Sequence, residues 1–246
     1  PISDWKTFSE YIWPETSAIS LAEFESVVPR LPDGMKIIAQ TGGVFEMAES
    51  LCGYEGLCLL LADDRELVKA VFGKIGAIYE AMYSKMSSIP QVGAVVISDD
   101  MGYKTQTMIS PCDLREFVLP LHAKLAGIIH DKGKPCILHS CGQLGEIMET
   151  IIGEVGIDAK HSFEDVILPV EEAKRLYGGR IALLGGFDMD RLCRSGEREI
   201  REHVGRLLSL CGKGGGYALG SGNSIADYVP VENYLTMLDE AFKARK

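Results

Sequence analysis

Six short β-type runs recur along this chain, and each ends in glycine or a polar cluster before an amphipathic stretch begins. They are Lys36-Ile37-Ile38-Ala39-Gln40-Thr41, Gly93-Ala94-Val95-Val96-Ile97-Ser98, Pro135-Cys136-Ile137-Leu138, Ile157-Asp158-Ala159-Lys160, Arg180-Ile181-Ala182-Leu183-Leu184 and Tyr217-Ala218-Leu219. Apolar runs of this length suit strands covered on both faces, as in parallel sheets. Helix signals lie between them. Asp64 caps a predicted helix to about Met86, with Leu67, Val68, Val71, Phe72, Ile75, Ile78, Tyr79 and Met82 on its apolar side. Ser110-Pro111-Cys112-Asp113 opens another, which runs through Phe117, Leu121, Leu125 and Ile128 to Gly133 and is kinked at Pro120. Pro169 opens a helix closed by Gly178-Gly179, and Pro230 opens the last one. Residues 1–30, with Trp5 and Trp13, read as helical or irregular and external.

Strand–helix alternation predicts a parallel α/β sheet. A doubly wound sheet places a G-x-G-x-x-G turn after its first strand, and Thr41-Gly42-Gly43-Val44-Phe45 is not one. A barrel instead gathers polar residues at the C-terminal ends of its strands, because its site is built from the βα loops. Asp99, Asp100, His139, Cys141, His161, Glu164, Asp188 and Asn223 all fall at such ends. We therefore expect a single domain, residues 1–246, of the TIM-type (β/α)8 barrel, with residues 1–35 as an N-terminal segment and 36–246 as barrel. Only six of the eight strands are identifiable.

The formal net charge of -10 excludes a basic face for nucleic acid or an anionic membrane. No apolar stretch is long enough for a transmembrane helix, and Pro1-Ile2-Ser3-Asp4-Trp5 is no signal peptide. Seven cysteines, odd in number and without framework spacing, read as free thiols in a reducing cytoplasm.

His139 and Cys141 stand two residues apart at a strand end, where a period of two points both side chains to one face. Imidazole and thiolate are preferred zinc ligands, and a catalytic zinc takes a third protein ligand and keeps one position open. A buried His beside a small core Cys satisfies the same spacing. Asp99-Asp100 offers a carboxylate for acid/base work, for a pyrrole N–H or for a metal, with only one of the pair pointing inward. The bland alternative is a helix cap or loop anchor. His161 and Glu164 read as partners that orient His139, as ligands, or as packed residues. Asp188 also reads as a cap for the helix that follows, and Gly214-Gly215-Gly216 as a plain turn.

Several of these segments resemble one known family. Leu138-His139-Ser140-Cys141-Gly142 resembles the H-x-C-G turn of the zinc-dependent methylcobamide:thiol methyltransferases of the uroporphyrinogen decarboxylase superfamily. Ile97-Ser98-Asp99-Asp100-Met101-Gly102, Ile109-Ser110-Pro111 with Arg115-Glu116-Phe117-Val118-Leu119-Pro120, Leu184-Gly185-Gly186-Phe187-Asp188, and Gly222-Asn223-Ser224-Ile225-Ala226 with Pro230-Val231-Glu232-Asn233 resemble further strand ends and helix starts of the superfamily. The likeness runs from about residue 36 to the C-terminus.

It implies that the first run corresponds to the third barrel strand, with two strands expected upstream of Pro1. The open sheet edge would then be covered by a partner chain, another copy or a preceding segment. It implies zinc held by His139 and Cys141, with a corrinoid on a partner protein as methyl donor to a thiol. Asp99, Asp100 and Asn223 would join His139 in catalysis and substrate positioning. Gly43, Met101, His161, Glu164, Asp188 and Ser221 would contact substrate. Asn223 stands where the methyltransferases carry their third zinc ligand, a Cys, and where the decarboxylases carry His; either Glu164, His161 or Asp99 completes the set instead, or zinc is not bound. The alternative activity is uroporphyrinogen-type decarboxylation, with Lys104, Lys160 and Lys213 as the nearby cations. A third reading is a non-catalytic corrinoid- or tetrapyrrole-binding subunit.

Overall fold

A computed structural model describes residues 1–244. Two compact units emerge. The first comprises Pro1–Met101, Thr107–Leu138 and Leu144–Ile157; the second comprises Gly102–Gln106, His139–Gln143 and the chain from Asp158 onward.

The first unit opens with two short helices, α1 (Trp5–Glu10) and α2 (Ala22–Val27), neither of which has a buried residue. This agrees with the external placement read from the sequence. One exception is Ile2, buried with its N–H donated to the Leu51 carbonyl at 2.7 Å. Strands β1 (Ile37–Thr41) and β2 (Val92–Ser98) pair in parallel, Ala39 beside Val95. Between them run α3 (Val44–Cys52), α4 (Tyr54–Asp63) and α5 (Arg65–Ser87). Asp64 caps α5 by accepting the Leu67 N–H at 3.0 Å. Leu67, Val68, Val71, Phe72 and Ile75 are buried, so the 3.6-residue period placed the core face correctly. The segment 44–63 had no strong sequence signal, yet it forms two helices separated by Gly53 at φ +77°.

Ser110 caps α6 (Pro111–Asp113), as expected. The Pro120 kink takes a particular form. A π-helical turn, Leu114–Val118, precedes α7 (Leu119–His130), with Pro120 in the first turn of α7. Pro120 has no N–H to donate four residues back, and the wider turn absorbs the missing bond. Strand β3 (Cys136–His139) follows, with the Pro135 carbonyl accepting from the Val95 N–H at 3.1 Å. Then come α8 (Met148–Thr150) and a second π turn, Ile151–Val155.

The second unit contains β4 (Ala159–His161), α9 (Val170–Tyr177), β5 (Ala182–Phe187), α10 (Met189–Arg194), α11 (Glu197–Cys211), β6 (Tyr217–Ser221) and α12 (Val231–Lys243). Strand β5 runs past its expected end at Leu184, because Gly185 and Gly186 stay in the ladder opposite Leu219 and Gly220. They do so at φ +87° and +90°, a conformation that glycine tolerates and other residues rarely adopt. The amphipathic helix α11 buries Ile200, Val204, Leu207 and Cys211.

The strand order is β1-β2-β3-β4-β5-β6, in the order of the sequence. A doubly wound sheet reverses direction at a switch point, and none is present among the described residues. Sequential parallel strands alternating with helices are the succession of a TIM-type barrel, of which six strands are found among the described residues. Among these residues, no helix is long and apolar enough to cross a membrane.

Candidate functional site

The residues singled out from sequence fall into two groups, one in each unit.

In the first unit, Asp99 lies at the end of β2 and is fully buried. Its Oδ2 accepts the Phe45 N–H at 3.0 Å, and Oδ1 accepts the Glu46 N–H at 2.9 Å. These are orphan donors of the first turn of α3. Oδ2 also meets His122 Nε2 at 2.7 Å. Asp99 is therefore an anchor between β2, α3 and α7. Gly43, buried, makes this possible, since a Cβ there would lie 1.9 Å from Asp99 Cγ. Met101 is fully buried, and its carbonyl accepts from Met108 N–H. These placements give Gly43, Asp99 and Met101 structural roles in the first unit. Asp100 is half-buried.

The anchor shapes its neighbours electrostatically. Burial, then Asp99 and Asp100, raise the Glu46 and Glu49 carboxyls above their ordinary range. Burial, then Asp99 and Glu46, push Tyr79 up to about 12. A carboxyl that holds its proton more tightly in the folded state than in the unfolded chain loses stability as pH rises from its ordinary value to its raised one. The urea midpoint is thus expected to rise on acidifying from neutrality into that window. Glu46→Gln should raise stability at neutral pH and flatten this slope. An unchanged slope in a pH series of urea melts would refute the coupling.

The second unit brings together His139, Cys141, His161, Ser221 and Asn223. Cys141 Sγ lies 3.6 Å from His139 Nε2 and 3.4 Å from Ser162 Oγ. His139 Nδ1 meets His161 Nδ1 at 2.7 Å, and His161 Nε2 meets the Ser221 carbonyl oxygen at 3.2 Å. Asn223 Oδ1 accepts the Ser224 N–H at 2.7 Å, which turns its Nδ2 toward Cys141 Sγ at 3.2 Å. Asn223 thus presents a donor to the sulfur and not a ligand oxygen.

Glycine holds the turn itself. Gly142 has φ +80°, and a Cβ on it would meet the Gly102 backbone at 2.3 Å. A Cβ on Gly102 would meet the Cys141 carbonyl at 2.6 Å. The 102–106 loop lies directly on the turn, with the Gln143 N–H donated to the Tyr103 carbonyl.

Beneath it, buried Lys160 donates to the carbonyls of Ser140 at 3.1 Å and Ser162 at 2.7 Å, and stands over the Phe163 ring. Its ammonium is thus engaged with main-chain carbonyls of the scaffold. Asp188 is likewise committed. Its Oδ1 accepts from Asp190 and Arg191 at the start of α10, and its Oδ2 accepts from Asp165. The helix-cap reading of Asp188 matches these bonds. Glu164 carries the following turn through its carbonyl, which accepts from Ile167 and Leu168.

Sequence reasoning missed Ser162 and His122. Ser162 adopts φ +126°, strained for a residue with a Cβ, and no sequence pattern announces that. His122 was legible, because it lies on the same helix face as Leu119, Leu125, Ala126 and Ile129, all buried.

Two donors of one tetrahedral zinc, at about 2.0–2.1 Å for nitrogen and about 2.3 Å for sulfur, stand ~3.6 Å apart. The Nε2–Sγ separation matches this span without rearrangement. The donor set, imidazole plus thiolate, is also the one zinc favours.

Comparison with known proteins places these residues in context. The uroporphyrinogen decarboxylase family model matches residues 14–243. A methylated-thiol–coenzyme M methyltransferase from Methanosarcina mazei is 28% identical over 202 residues, covering 82% of this chain and 52% of that protein. A uroporphyrinogen decarboxylase from Anaeromyxobacter dehalogenans is 24% identical over 215 residues, covering 85% and 59%. The chain thus spans little more than half the length of these two relatives. A solved methyltransferase structure from Methanosarcina mazei superposes with a TM-score of 0.75 at 17% identity, covering 90% of this chain and 63% of that one.

Proposed function

The chain belongs to the uroporphyrinogen decarboxylase family, and on that premise we propose that it takes part in corrinoid-dependent methyl transfer to a thiol, at a zinc held by His139 Nε2 and Cys141 Sγ. The observation that carries the reading is the 3.6 Å Nε2–Sγ pair at the end of β3. The similarity to a methylated-thiol–coenzyme M methyltransferase supports the same reaction class.

Zinc bound there would hold a substrate thiol as its thiolate, the nucleophilic form. The residues of the chain do the rest. His161 holds the His139 ring. Asn223 Nδ2 donates toward sulfur, which favours negative charge on Cys141. Gly102 and Gly142 keep the turn in shape. The methyl group would come from a corrinoid on a partner protein. Seven cysteines, odd in number and without framework spacing, support a reducing, cytoplasmic setting.

Tetrapyrrole decarboxylation is the second reading, favoured by the likeness to a uroporphyrinogen decarboxylase. Against it stand the burial of Asp99 and the engagement of Lys160 with main-chain carbonyls. The deciding experiment is metal analysis of the purified protein, paired with optical assay of methylcobalamin demethylation by a thiol. Stoichiometric zinc with thiol-dependent demethylation is the expected result. Metal-free protein that turns over uroporphyrinogen would sink the methyltransferase reading.

A further inference from the structure

The His139–His161 contact fixes where protons sit. The Ser221 carbonyl oxygen can only accept, so His161 Nε2, 3.2 Å away, carries a proton and donates it. A neutral imidazole with its proton on Nε2 has a lone pair on Nδ1. With His161 neutral, the one proton in the 2.7 Å contact between the two Nδ1 atoms comes from His139 Nδ1. Neutral His139 then has a bare Nε2 on the side of Cys141 Sγ. For neutral rings this assignment follows from the acceptor-only nature of a carbonyl.

The rings meet edge to edge, with centroids 4.9 Å apart and planes inclined by 30°. That is an in-plane hydrogen bond and not a stack. The backbone enforces it, since the Ser140 N–H donates to the His161 carbonyl at 3.1 Å. Gly185 leaves the room, because a Cβ there would fall 2.8 Å from His161 Cδ2 and 2.6 Å from the Ser221 oxygen.

We infer that His161 is a positioning residue, which through its Nδ1 holds His139 in the Nδ1–H tautomer and aims Nε2 at the sulfur of Cys141. The inference rests on the metal reading only for its purpose; the tautomer exists without metal. Histidine in water prefers its proton on Nε2, so removing His161 should let His139 revert. An outer partner of this kind typically accounts for about 10–100-fold in metal affinity.

The test uses ¹⁵N-histidine-labelled, metal-free protein at a pH where histidine is neutral. Nitrogen shifts should report His139 protonated on Nδ1 in the wild type. His161→Asn places an amide oxygen where Nδ1 stood and should preserve that tautomer. His161→Gln reaches the Ser221 carbonyl but offers no acceptor at that point, and His139 should move to the Nε2–H form. His161→Ala should do the same, and the Asn/Gln pair decides the matter if the Ala variant does not fold. Zinc affinity should fall about 10–100-fold in the Gln variant and recover in the Asn variant. An unchanged His139 tautomer in a folded His161→Gln protein would overturn the inference. If no variant binds zinc, the metal reading alone falls, and the tautomers of the metal-free proteins still decide the role of His161.

Discussion

Cys141→Ser and His139→Ala are each expected to abolish stoichiometric zinc binding and thiol-dependent demethylation of methylcobalamin. Each substitution removes one of two donors that already stand 3.6 Å apart. The loss should exceed the roughly 10–100-fold that removal of an outer partner brings, because a ligand is lost outright. Serine is the sharper probe. It keeps the size and polarity of the side chain, so Asn223 Nδ2 and Ser162 Oγ still have a partner, but a hydroxyl is a poor substitute for a thiolate on zinc. The exposed Cys112 is the control, and Cys112→Ser should bind zinc as the wild type does. Metal content after dialysis checks this directly. Full zinc in Cys141→Ser would remove the foundation of the proposed site.

Asp99→Ala is expected to be among the most destabilising substitutions in the chain, at about 3–5 kcal/mol, the range for removing one partner from a buried charged network. The carboxylate is fully buried and accepts from two main-chain donors and from His122. Alanine leaves the Phe45 and Glu46 N–H groups without acceptors. It also leaves His122 stranded, because its Nδ1 already has no hydrogen-bond partner. Each such orphan costs about 1–3 kcal/mol. Asp99→Asn should recover only part of the loss, since an amide keeps one acceptor and turns an N–H toward a donor. Urea unfolding followed by circular dichroism measures both. A loss below about 1 kcal/mol for Asp99→Ala would show that the start of α3 finds its partners elsewhere.

The contrast between these two predictions shows where sequence suffices. The period of two at a strand end put His139 and Cys141 on one face, and the structure places their donor atoms together. The barrel succession was legible because each strand ends where glycine or a polar side chain interrupts an apolar run. The same pattern could not tell Asp99 from Asp100, since adjacent carboxylates look alike until a neighbouring helix start claims one of them. Asp188 was ambiguous for that reason, and α10 claims it. Lys160 reads from sequence as an exposed cation because a lysine is normally exposed. Its burial is legible only once three strand-end carbonyls converge on it. Strand β5 was cut short at Gly185-Gly186 because paired glycines usually mean a turn. Here they make room, one for His161 and the other for Val170.

The mutual approach of Gly102 and Gly142 limits how this site can diverge. The atoms that crowd each missing Cβ belong to main chain, not to movable side chains. No second substitution nearby can therefore compensate for a side chain at either position. Each glycine is fixed by the other's backbone, across some forty positions of sequence. The loop and the turn are free to vary around this point, yet their paths are tied together there. A change of substrate preference at this turn is then expected from residues flanking the pair, and not from the glycines themselves.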